Sequence, residues 1–157
     1  MPSSPAQRST RTCERVAYLA DANFLIALLH ERHVMSARAA AWLASQEERV
    51  SVVLCRITQM AALRVLTNSS WLKEDVLTVA AVWDAWDLLL TDYRFALVQE
   101  PSLLEKEWRN LARSFPPGRC AETDTYLAAF ALAGGYRLLT FDRAFRFYDG
   151  LNVEIPE

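Results

Sequence analysis

Glu122 to Phe145 read ETDTYLAAFALAGGYRLLTFDRAF, and the fold class follows from this run. Thr123 to Ala133 contains no helix breaker and is rich in Ala and Leu, the strongest helix formers, so it reads as a helix. Gly134 and Gly135 stop it, because glycine accepts the left-handed conformation that commonly follows a last helical turn. Arg137 to Phe141 is a short, mostly apolar run that reads as a buried strand ending at Asp142, and Arg143 to Phe147 reads as a short helix. Helix, tight stop, buried strand and helix again is the unit of a parallel sheet, whose strands need crossovers rather than hairpins.

The same alternation extends upstream. Val16 to Ala20 (VAYLA), Val50 to Leu54 (VSVVL) and Phe95 to Val98 read as buried strands. Helices are expected over Ala22 to Leu29, Ser36 to Gln46, Thr58 to Leu66, Glu74 to Thr91 and Ser102 to Arg113, with Asp21 and Thr58 in position to cap the first and third. In the longest, Val76, Val79, Trp83, Trp86 and Leu90 recur at spacings of three and four and are expected to face the core. Pro116-Pro117-Gly118 marks a loop, and Val153 to Ile155 a last strand. The strands are continuous apolar runs and no Asn-Gly hairpin turn occurs, so an α/β fold with a mainly parallel sheet covered on both faces is expected. Residues 1–15, rich in Ser, Thr, Pro and Arg, are expected to be a flexible tail, leaving residues 16–157 as one domain.

Composition agrees. The chain has 157 residues, 17 Lys+Arg against 19 Asp+Glu, and is 52% hydrophobic, which excludes a disordered chain. The longest uncharged run, Thr125 to Tyr136, is about a dozen residues, short of the ~20 that span a bilayer. With no apolar stretch near the start, a soluble cytoplasmic protein without membrane contact is expected. Cys13, Cys55 and Cys120 are too few for a disulfide framework or a zinc site; Cys55 is expected to be buried and Cys120 exposed. The near-neutral balance advertises no nucleic-acid surface, yet the positive charge is almost all arginine, the better phosphate fork, with Lys73 and Lys106 the only lysines. No Gly-rich phosphate loop is present, so nucleotide cofactors have no support.

In an open parallel sheet, ligands bind outside the carboxyl ends of the strands. Asp21 follows the first strand, Asp142 follows the fourth, and Asp124 opens the helix after the Pro/Gly loop. Three carboxylates on one rim repel unless a cation shares them, and an oxygen-only donor set suits Mg²⁺ or Mn²⁺, ions that polarise a phosphoryl oxygen. Each acid also has an ordinary role: Asp21 as helix cap, Asp124 beside a helix dipole, Asp142 in a turn. Spacing alone leaves both readings open. His30 and His33 are expected at the surface near the end of the first helix, and Arg64 is either a phosphate contact or a structural ion pair.

Three segments carry a family resemblance. LADANFLIALL from Leu19, ITQMAALRVLTN from Ile57 and the run from Glu122 resemble PIN-domain ribonucleases of the VapC toxin family, in the same order and over about Val16 to Ile155. The resemblance implies a three-layer α/β/α sandwich and an Mg²⁺- or Mn²⁺-dependent endoribonuclease. It also implies the toxin half of a type II toxin–antitoxin pair, with RNA as substrate, a cognate antitoxin and a homodimer. Asp21, Asp124 and Asp142 fall on the family's metal-binding acids, Asn23 and Thr140 on positions that shape the site, and Thr123 on a polar helix cap. One departure stands out: the subgroup commonly carries a Glu after the Thr of the second segment, and here that position is Gln59, leaving three formal negative charges rather than four. Glu122 does not simply replace it, since two residues from Asp124 on a helix it points roughly the opposite way. The competing expectation is a catalytically weak PIN-like module that binds RNA or protein. An aspartyl-phosphate enzyme fits poorly, because no lysine follows Lys106.

Overall fold

Ala17–Ala20, Ser51–Leu54, Phe95–Leu97, Arg137–Leu139 and Val153–Glu154 are strands β1 to β5 of one sheet in the order β3-β2-β1-β4-β5. The structure is a computed structural model that describes residues 17–46, 51–116, 118 and 121–157. All four strand pairings are parallel, so the sheet is more uniform than the mainly parallel one expected. The helices are α1 (Ala22–Leu29), α2 (Ser36–Ser45), α3 (Arg56–Leu66), α4 (Ser69–Leu72), α5 (Val79–Thr91), α6 (Leu104–Ser114) and α7 (Glu122–Gly134). The expected tail, the first residues of two expected strands (Val16 and Val50), and Cys13 and Cys120 lie outside the described residues.

The period-two alternation of strands separates two cores. Leu19 pairs with Val53 on one side and Leu138 on the other, and this row packs against Leu104 of α6 and Leu127 and Phe130 of α7. Tyr18, Ala20, Val52, Leu54 and Leu139 point the other way, against α1, α2, α3 and α5. There Trp42 meets Tyr18 and Phe24 edge-on at 5.1 and 5.5 Å. Helices therefore cover both faces, which is the three-layer α/β/α sandwich. Among the described residues no helix is long and apolar enough to cross a membrane.

Three local expectations need correction. The helix expected from Glu74 begins at Val79, where the Thr78 hydroxyl accepts from the Ala81 amide at 3.1 Å, and residues 73–75 form a separate 3-10 turn. Its buried face is Val82 and Trp86, whereas Val79 and Trp83 are 60% and 42% exposed. Trp86 is buried as expected, and the buried face lies opposite Asp84 and Asp87, running through Val82, Trp86 and the partly buried Leu89. Helix α3 begins at Arg56 with Cys55 at its cap position, and Thr58 lies inside, its hydroxyl donating to the Cys55 carbonyl at 3.0 Å. His30 is buried, not at the surface: it ends α1, and its Nε2 bonds the Asp75 carbonyl at 2.9 Å, tying the helix to the 3-10 turn.

Candidate active site

The chain leaves β1 for α1, α2 and β2 on one side of the sheet, and β4 lies on the other side of β1. Strand order reverses between β1 and β4, and a crevice opens at such a switch point. Asp21 stands between β1 and α1, where its extended backbone and carboxylate make it the N-cap. Its Oδ1 accepts from the Ala22 amide at 2.6 Å, and its own N–H donates to the Leu139 carbonyl of β4 at 2.9 Å. The cap and the rim position are one fact: the residue that ends the strand starts the helix.

Thr140 joins the two strand ends. Fully buried, its hydroxyl donates to Asp21 Oδ2 at 2.7 Å and accepts from the Asn23 amide and the Asp142 backbone N–H, both at 3.0 Å. Asn23 Oδ1 in turn accepts from the Phe141 N–H at 3.0 Å. Asp142 is exposed and its Oδ1 accepts from the Ala144 N–H at 2.8 Å, and among the described residues no hydrogen bond reaches its other oxygen. Asp124 is half-buried in the first turn of α7.

The electrostatics bind these acids into one group. Burial pushes the Asp21 carboxyl up to about 6, against the lowering effect of its bonds to Thr140 and Ala22, with Asp124 and Asp142 adding repulsion. Asp124 is likewise raised, by burial and then by Asp142. No ion pair among the described residues involves any of the three. Equally, no three His, Cys, Asp or Glu side chains among the described residues are already drawn together as a metal-ligand cluster. The acids share a rim without converging on one point. Their donor chemistry, all carboxylate oxygen with mutually unfavourable charge and no basic partner, fits a hard divalent cation.

The other expected site residues make no hydrogen bond to the aspartates among the described residues. Gln59 is 2% exposed and its Oε1 accepts from the Arg56 guanidinium, so the amide is engaged along its own helix; among the described residues no hydrogen bond joins it to the aspartates. Thr123 is not the cap of α7: the helix starts at Glu122, Ala121 holds the cap position without a side-chain bond, and Thr123 is exposed in the first turn. Arg64 is exposed in the last turn of α3 and forms no ion pair among the described residues, so the structural ion pair is not seen. The sequence reading did not single out Arg56, which opens α3 directly after Cys55; Cys55 holds the cap position after β2 that Asp21 holds after β1. Burial raises the Cys55 thiol, with the Asp21 charge a minor contributor in the same direction. Nothing in the local sequence marks Tyr126 and Glu100 as partners, yet the phenol donates to Glu100 Oε1 at 2.7 Å, and burial together with that carboxylate raises the phenol well above its usual range.

Comparison with known proteins places the chain in a family. The PIN domain family matches residues 18–151. The chain is 38% identical to Ribonuclease VapC41 of Mycobacterium tuberculosis over 141 residues, covering 87% of this chain and 97% of that protein. It belongs to the PIN-domain family, among the VapC ribonucleases. Solved structures repeat the fold of this VapC-family chain. VapC20 of Mycobacterium tuberculosis, a sarcin-ricin loop cleaving toxin, aligns with a TM-score of 0.64 at 15% identity over 88% of this chain and 99% of its own. VapBC-1 from nontypeable Haemophilus influenzae aligns with a TM-score of 0.64 at 17% identity over 89% and 98%.

Proposed function

We propose that this chain is a cytoplasmic, Mg²⁺- or Mn²⁺-dependent endoribonuclease and the toxin of a VapBC-type pair. The observation that carries the reading is the rim of Asp21, Asp124 and Asp142: burial and the neighbouring carboxylates raise Asp21 and Asp124, and no ion pair among the described residues engages any of the three. A bare acidic rim repels a phosphodiester, and a divalent cation reverses the local sign. When bound, such an ion supplies Lewis acidity, drawing charge from the phosphoryl oxygen and making water a better nucleophile. Asp21, Asp124 and Asp142 would hold it. Thr140 and the Ala22 N–H fix the orientation of the Asp21 carboxylate while leaving each oxygen a further lone pair. With its carboxyl pushed up to about 6, Asp21 would have to be deprotonated to hold a cation. Asn23 and Thr140 position the rim and do not touch the reacting phosphate.

The likeness to Ribonuclease VapC41 supports RNA as substrate and the likeness to the VapBC-1 structure an antitoxin as partner; the homodimer rests on the family resemblance alone. The antitoxin's basic side chain, set among these acids, would compete with the cation for the same charge. The buried Gln59, engaged by Arg56 and carrying no charge, favours a second reading, a weakly catalytic module that binds RNA or protein. One experiment separates them: cleavage of single-stranded RNA by the purified chain across a Mn²⁺ titration, with Asp21→Asn, Asp124→Asn and Asp142→Asn beside it. Each substitution keeps shape and removes a charge, and each is expected to cost at least about 100-fold in rate. Metal-independent cleavage, or cleavage retained in two of the three, overturns the proposal; cleavage absent from the unsubstituted chain selects the binding module.

A further inference from the structure

Two adjoining clefts, of about 350 and 320 Å³, open at the carboxyl end of β3 and share Glu100 and Tyr126. Tyr126 is half-buried, its ring packed edge-on against Trp108 at 5.3 Å and tilted against Phe130 at 6.1 Å. Those contacts fix the plane of the ring, and the bond from its hydroxyl to Glu100 Oε1 at 2.7 Å fixes the carboxylate beside it. Glu100 is exposed, and among the described residues no hydrogen bond reaches its Oε2. Arg56, also exposed, lines the first cleft and uses one N–H on Gln59, keeping the rest of its donor fork. The clefts open at the same carboxyl edge of the all-parallel sheet as the aspartate rim, with β3 two strands from β1; Arg56 begins the helix that follows β2 between them, and Tyr126 shares α7 with Asp124 but projects from another side of that helix.

We infer that this cleft is a base-recognition subsite that reads guanine in single-stranded RNA, at a nucleotide neighbouring the phosphodiester held at the aspartate rim. The inference rests on the ribonuclease reading above for its RNA and its reacting phosphate. Single-stranded RNA is recognised by stacking unpaired bases on aromatic rings and reading their Watson–Crick edges. Tyr126 supplies the ring. Glu100 supplies an edge reader that only accepts, with lone pairs left after the Tyr126 bond. Guanine alone among the four bases offers two adjacent donors on that edge, N1–H and the 2-amino group. Adenine, cytosine and uracil each set an acceptor beside their donor, and a carboxylate repels that acceptor. Discrimination thus comes from rejection as much as from attraction. Arg56, at the mouth, suits the phosphate of the same nucleotide.

The test is equilibrium binding, by fluorescence anisotropy in EDTA, of uridine hexamers carrying one central guanine, inosine or adenine. Inosine lacks only the 2-amino group. Guanine is expected to bind about 10- to 100-fold tighter than adenine, with inosine between them. Glu100→Gln, at an exposed position, is expected to abolish that preference from both sides, weakening the guanine hexamer and tightening the adenine hexamer, because the amide no longer repels adenine's acceptor. Equal binding of guanine and adenine, a preference that survives Glu100→Gln, or no binding of any hexamer overturns the subsite. The two readings fail separately. Metal-dependent cleavage without base preference refutes the subsite alone, whereas a preference removed by Glu100→Gln in a chain that never cleaves upholds the subsite and refutes the ribonuclease.

Discussion

Asp21 is the residue on which stability and proposed function pull apart. Its carboxyl, ordinarily near 3.8, is pushed up to about 6 chiefly by burial, so the folded chain holds this proton more tightly than the unfolded chain. Stability contributed by the protonated form is therefore full below about pH 4 and is lost as pH rises through about 6. Above that range the buried charge costs on the order of 3 kcal/mol, of which Asp21→Asn recovers only part, because an amide accepts one of the two bonds that the carboxylate accepts now. The metal-free Asn variant is expected to melt roughly 3–6 °C higher at pH 7.5, with the difference gone at pH 3, by scanning calorimetry. Thr140→Val acts in the opposite direction. It keeps the shape but strands the Asn23 amide, the Asp142 N–H and an Asp21 oxygen, and is expected to cost about 2–4 kcal/mol in urea unfolding, while Thr140→Ser restores most of it.

Among the elements, α7 and β4 were the most legible, because their signals are chemical rather than periodic. Gly134-Gly135 ends α7 as read, and Gly135 takes a left-handed φ of 68° with open space around its missing side chain. Gly135→Ala is thus a pure backbone test, expected to cost about 1–2 kcal/mol, seen as a melting temperature lower by roughly 2–6 °C with RNA cleavage at 25 °C unchanged. The start of α3 was two residues off because its cap position is Cys55, which makes no side-chain cap bond that a sequence could advertise. The face of α5 was read only in part: Trp86 is buried as expected, but Asp84, Asp87 and Thr91 mark a polar side, and the buried face opposite them runs through Val82 and Trp86 rather than Val79 and Trp83. The aspartate rim was readable from strand ends. The pairing of Tyr126 with Glu100 was not, since it joins α7 to the loop after β3 across 26 residues of chain.

At the scale of the molecule, the sheet order brings together ends that are far apart in sequence. Asp21 and Asp142 lie on neighbouring strands only because the chain returns past β1 to form β4, and Asp124 arrives with the helix that makes that crossover. A net charge of −2 spread over the chain does little; the charge that matters is local and uncompensated. A cation that binds only the folded state stabilises it, so the metal should report on the rim as a whole. The most direct test is Mn²⁺ titration calorimetry of the full chain at pH 7.5 and at pH 5.0, beside Asp21→Asn. With Asp21 titrating at about 6, protons compete at the lower pH, and Mn²⁺ affinity is expected to fall about tenfold between the two, and to be weak and insensitive to pH in the Asn variant. Affinity equal at both pH values and undiminished by Asp21→Asn would contradict the assignment of the aspartate rim as the cation site.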